Sequence, residues 1–110
     1  MPQYAILIFE QETPNGIADI PPEILEEHGR VEARIKASGG SLVSGFATMP
    51  SSSARAIRDD VVTDGPFIES KEALAGFFII EARDLEHASE IGRFVPIMNG
   101  GVEVRPLMNG

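Results

Sequence analysis

Cysteine is absent from the 110 residues, and so is tryptophan. The first absence excludes disulfides, thiol nucleophiles, iron–sulfur clusters and thiolate zinc sites. Aromatics are sparse, with six Phe and one Tyr placed poorly for stacking nucleic-acid bases. Nine basic residues against seventeen acidic ones give a formal charge of −8, a field that opposes a polyanionic partner. No apolar run approaches the roughly 20 residues of a membrane span. The start, Met1-Pro2-Gln3-Tyr4, lacks the basic leader and apolar core of a secretory signal. Gly39-Gly40 and Gly100-Gly101 have neither the spacing nor the lysine of a phosphate loop, and Gly-x-Ser-x-Gly is missing. His28 and His87 lie too far apart to form a metal-binding pair on one helix. The expectation is one cytoplasmic domain over residues 1–110, with no nucleic-acid or membrane partner, no metal and no cofactor.

What the chain does contain is a regular alternation of strand and helix signals. Tyr4 to Phe9 is a short apolar run rich in β-formers, which predicts a buried strand. Thr13-Pro14-Asn15-Gly16 is turn chemistry, and Pro21-Pro22 opens a helix where a missing amide costs nothing. Ile24, His28, Val31 and Ile35 recur at helical spacing and define one face, ended by Gly39-Gly40. Ser41 to Thr48 reads as a second strand, and Ala54 to Thr63 as a ribbon turning at Arg58-Asp59-Asp60. Asp64-Gly65-Pro66 breaks the pattern, and Leu74 to Ile80 is the most apolar strand. Asp84 is the expected N-cap of a second helix. Leu85, Ala88, Ile91 and Val95 are its expected core face, with His87 exposed beside Glu86 and Glu90. Val102 to Leu107 closes the chain, alternating Val102 and Val104 against Glu103 and Arg105.

This order predicts an α+β two-layer domain of the split β-α-β kind, with two helices on one face of a mainly antiparallel sheet. The strands at Tyr4–Phe9 and Leu74–Ile80 are apolar at odd and even positions alike, so both sheet faces need cover. Two helices shield only one. A homodimer packed through its sheet faces is the expected solution.

Thr63-Asp64-Gly65-Pro66-Phe67-Ile68-Glu69-Ser70-Lys71-Glu72, running into Leu74-Ala75-Gly76-Phe77-Phe78, resembles the DGPF branch of the YCII-related family. The likeness continues through Ile80 to Leu85 and Val102 to Pro106, and covers essentially the whole chain. It implies a ferredoxin-like α+β fold and a dimeric α/β-barrel-like assembly. Its implications for chemistry are thinner. A helix-one His paired with an Asp has been proposed as a catalytic dyad in the YCII branch. One relative is associated with dehydrochlorination of a chlorinated hydroxyquinol. Genes of the DGPF branch tend to lie beside those of extracytoplasmic-function sigma factors, which implies regulation instead. His28 matches the dyad histidine. The dyad aspartate, expected before a Pro near the end of the second helix, is replaced by Val95 before Pro96.

The candidate site follows from these residues. His28, on an otherwise apolar stripe, suits general acid–base work near neutrality. Its plain alternative is a histidine satisfied by one backbone carbonyl. Asp64 is the motif carboxylate available to orient His28, and alternatively caps its own turn. Arg105 is the candidate anchor for an anionic or phenolic small molecule, and Phe67 a candidate lid. Cofactor-free proton transfer, of lyase or isomerase type, is one expected activity. A non-catalytic sensor or regulatory partner is the other.

Overall fold

The computed structural model describes residues 1–108, and the expected domain limit at Gly110 lies outside them. Along the chain run β1 (Gln3–Gln11), α1 (Pro22–Ala37), β2 (Ser41–Ala47), β3 (Arg55–Arg58), β4 (Val61–Asp64), β5 (Glu72–Glu81), α2 (Leu85–Gly92) and β6 (Gly100–Pro106). Short 3-10 turns occupy Gly16–Asp19 and Ser51–Ser53. Four strands form one sheet in the order β2-β5-β1-β6, with every neighbouring pair antiparallel. This is the ferredoxin-like sandwich. Strands β3 and β4 pair only with each other, as a separate ribbon. Among the described residues no helix is long and apolar enough to cross a membrane.

Strand parity explains the layers. Successive side chains alternate faces, so Tyr4, Ile6 and Ile8 of β1 point together toward the helices. Their cross-strand partners Ile80 and Phe78 on β5, and Val104 and Val102 on β6, share that face. Val31 and Ile35 of α1 and Ala88 and Ile91 of α2 complete the core. Ile6, Ile35, Ile80 and Ile91 are wholly buried. Each such side chain contributes about 1.5–3 kcal/mol through removal of apolar surface from water. The opposite parity places Leu7, Phe9, Phe77 and Ile79 on the other face, where Phe46 remains 62% exposed and Leu74 43% exposed. No helix packs there.

Helix α1 ends in a Schellman motif. The Gly40 amide donates to the Ile35 carbonyl and the Gly39 amide to that of Lys36, both at 3.1 Å. Gly39 supplies the positive φ, 93°, that the motif requires. The motif also fixes Ser38, whose hydroxyl donates to the Ile35 carbonyl at 2.7 Å and meets His87 Nε2 at 3.1 Å. At the start of α2, Asp84 caps as expected, its Oδ1 accepting the His87 amide at 2.8 Å.

Two expectations for α2 are corrected. His87 is buried, with only 5% of its surface exposed, whereas Leu85 is 48% exposed. At 3.6 residues per turn, a residue four before Ile91 lies about 40° from it, and one six before lies about 120° away. His87 is therefore on the core face, and Leu85 is at its margin. The imidazole is fully satisfied: Nδ1 accepts the Arg83 amide at 3.0 Å, which leaves the proton on Nε2 for Ser38. Val95 is buried as expected, but just beyond the helical segment.

The ribbon turns through Asp59 and Asp60, both at positive φ, in a two-residue hairpin whose twist suits this geometry. Its base is closed by the Gly65 amide donating to the Ala54 carbonyl at 2.8 Å, with Gly65 at φ 98°.

His87→Ala strands the Arg83 amide and opens a gap in the core. The expected loss is about 1–3 kcal/mol of stability in urea unfolding. His28→Ala, at an exposed position, should change stability by no more than about 0.5 kcal/mol.

Candidate functional site

The apolar stripe of α1 does not continue to its beginning. Val31 and Ile35 are buried, Ile24 is only half-buried, and Leu25 and His28 are exposed. The front half of the helix thus stands away from the sheet, and an open cleft of about 900 Å³ lies beneath it. Its floor comes from the helix-side parity of the sheet: Ile8, Gly45, Ala47, Gly76 and Phe78. The glycines of the floor permit close packing, since a Cβ on Gly76 would come within 2.5 Å of the Phe46 carbonyl oxygen. A Cβ on Gly45 would come within 2.5 Å of the Phe78 ring. Ile20, Met49, Pro50 and Met98 line the rim, and His28 faces the cleft from α1.

The residues singled out from the sequence are not brought together in one chain. Only His28 lines the cleft. Asp64 lies at the end of β4 with its side chain 94% exposed, 3.8 Å from Arg55 Nε, and is not part of the cleft wall. The His28–Asp64 dyad expected from the motif therefore has no shared cavity within the chain. The reason is topological: Asp64 belongs to the separate ribbon, where Gly65 and Pro66 give it a turn position. Arg105 lies opposite Ala5 on the bare face of the sheet, away from the cleft, and pairs with Glu103 at 2.6 Å. Phe67 packs under the Arg58 guanidinium, 4.4 Å from its ring centre, beside a smaller hollow of about 370 Å³ on the ribbon. Neither touches the cavity that His28 lines.

Two carboxylates that the sequence reading passed over do line it. Glu10 follows Ile6 and Ile8 in parity, so β1 turns it toward the helix side. Its Oε1 accepts the Met98 amide at 2.7 Å, and the neighbouring Gln11 amide donates to the Asn99 carbonyl at 2.9 Å. Glu12 ties the end of β1 to the Ser51–Ser53 turn: one oxygen accepts the Ser51 amide at 2.8 Å and the other the Ser51 hydroxyl. These two hydrogen bonds, the hydroxyl first, hold the Glu12 carboxyl below the usual carboxylate range. The parity of Glu10 with the apolar residues of β1 was the available signal. Among the described residues, no three His, Cys, Asp or Glu side chains gather into a group able to hold a metal ion.

Comparison with known proteins fits this architecture. The sequence profile described as the YCII-related domain matches residues 3–109. The chain belongs to the YCII-related family. An uncharacterised protein of Rhizobium meliloti (strain 1021) is 28% identical over 113 residues, covering 94% of this chain and 90% of that one. In this YCII-related chain the histidine of helix α1 is placed at a cleft whose other ionisable groups come from the end of β1.

The lowered pKa of Glu12 has a definite sign. The folded value lies below the unfolded one, so the tie to Ser51 stabilises fully above the unfolded pKa and is lost as pH falls through the folded value. The side chain is solvent-exposed, which limits the contribution to about 0.5 kcal/mol. Glu12→Gln should abolish this acid-dependent component and speed amide exchange at Ser51, as measured by hydrogen exchange across the acid range.

Proposed function

We propose that this YCII-related chain binds a small, largely apolar molecule in the cleft beneath α1. The observation that carries the reading is the cleft itself, a concavity of about 900 Å³ with an apolar floor and a few ionisable groups at its wall. Such concavities, with convergent polar groups, are where small ligands bind. The neutral fluorophore N-phenyl-naphthylamine tests it. Wild type should bind the dye, and Ala47→Trp, which fills the cleft from an exposed floor position, should weaken binding by about tenfold or more. Dye that binds both proteins equally would overturn the reading.

A second reading adds proton transfer to the bound molecule, and it is favoured by His28 and Glu10 facing the same cavity. In this reading His28 gives or takes the proton without a cofactor. His28→Ala should then leave dye binding intact and lower turnover of a screened substrate by about 10²-fold or more. A ligand that raises the melting temperature without being consumed supports binding alone, in the manner of a sensor.

We also propose that a second copy covers the bare sheet face. Leu7, Phe9, Phe46, Leu74, Phe77 and Ile79 make one contiguous apolar surface by register, a kind of surface monomers rarely leave open. A two-fold axis through it would set each patch on its own copy. Light scattering should give twice the chain mass for wild type and the chain mass for Phe46→Lys combined with Phe77→Lys. A wild-type monomer at micromolar concentration would count against the dimer.

A further inference from the structure

The cleft wall contains neither lysine nor arginine; its ionisable side chains are His28, Glu10 and Glu12. The arginines are all engaged elsewhere. Arg30 and Arg34 pair with Glu27, Arg55 with Asp64, Arg93 with Glu90 and Arg105 with Glu103. Arg58 covers Phe67, and Arg83 reaches the Ser38 carbonyl at 3.4 Å. No guanidinium is positioned to receive a carboxylate or phosphate in the cleft.

The two carboxylates differ in what they have left to offer. Both oxygens of Glu12 are occupied by Ser51. Glu10 uses Oε1 for the Met98 amide, and among the described residues no donor reaches its Oε2. One carboxylate oxygen therefore remains unused at the wall of a cavity whose floor is apolar. An ionised acceptor in such surroundings makes a strong hydrogen bond with a cationic donor. It repels an anion, and the −8 charge of the whole chain acts in the same direction.

Resting on the reading of the cleft as a ligand site, we propose that its ligand is an apolar amine: a hydrophobic body lying on the Ile8, Ala47 and Phe78 floor, with a protonated nitrogen received by Glu10. This departs from the anionic or phenolic ligand expected when Arg105 was the candidate anchor. Arg105 is on the other face of the sheet, and the charge that faces the cleft from β1 has the opposite sign.

Three probes with one body and three charges test the assignment: naphthylmethylamine, naphthylmethanol and naphthoate, titrated calorimetrically in moderate salt. The amine should bind about tenfold or more tightly than the carboxylate, with the alcohol between them. Glu10→Gln keeps a carbonyl acceptor for Met98 and removes the charge. It should cost the amine about tenfold and leave the alcohol unchanged. Naphthoate binding as tightly as the amine, or an amine indifferent to Glu10→Gln, overturns the charge assignment while dye binding sensitive to Ala47→Trp leaves the cleft reading standing. Failure of all three probes and of the neutral dye overturns both.

Discussion

Helix α1 is fastened to the sheet at one end only, and the rest of the site depends on that asymmetry. Val31 and Ile35 anchor its second half in the core, and the Schellman motif turns the chain directly into β2. Ser38, placed by that motif, joins His87 and through it the Arg83 amide, so the end of α1, the β5–α2 connection and α2 share one partly buried hydrogen-bonded link. The first half has no equivalent. Proline starts it without a side-chain cap, and Leu25 and His28 point out of the core. A core satisfied by two residues of α1 leaves the front of the helix as a roof over empty space.

Much of this architecture was legible in local pattern. The apolar runs marked β1 and β5, Pro21-Pro22 and Gly39-Gly40 bracketed α1, and Asp84 announced α2, because these signals depend on neighbours in sequence. The site was less legible because it depends on which face each element presents. His28 continues the spacing of Val31 and Ile35, yet spacing cannot say where along a helix the packing stops. His87 looked exposed beside two glutamates, but the core face of α2 is centred nearer to it than to Leu85. Arg105 is the instructive case. Its alternation with Val102 and Val104 already separated it from the core side, so its place on the bare face was implicit in the same pattern that predicted the strand. The parity that excludes Arg105 admits Glu10, two residues beyond Ile8.

The motif around Asp64 has a geometric explanation that does not require catalysis. Gly65 takes a conformation costly for other residues, and its amide closes the ribbon on Ala54. Pro66 and Phe67 then carry the chain back across one side of the ribbon, where Arg58 stacks on the aromatic ring. Asp64 itself is opposite Arg55 in register and largely in water, a pairing worth little energetically. The densest sequence signal in the chain thus describes how the ribbon is built. The continuation of that signal, Leu74-Ala75-Gly76-Phe77-Phe78, does reach the cleft, to which Gly76 and Phe78 contribute floor, but Gly45, Ala47 and Glu10 come from other strands that carry no comparable motif.

The two unsatisfied surfaces of the molecule have different chemistry and lie on opposite sides of the sheet. The bare face is wide and apolar, bordered by the self-neutralised Glu103–Arg105 pair, so it suits another apolar surface rather than a charged ligand. The cleft is concave, and its fixed charge is carboxylate without a compensating arginine or lysine. β1 contributes alternate residues to each, with Leu7 and Phe9 on one side and Ile8 and Glu10 on the other, and the two surfaces meet at Phe46 and Leu74, which also line the cleft. Within Leu7 to Glu10 of that strand, odd-numbered positions serve association and even-numbered positions the cleft.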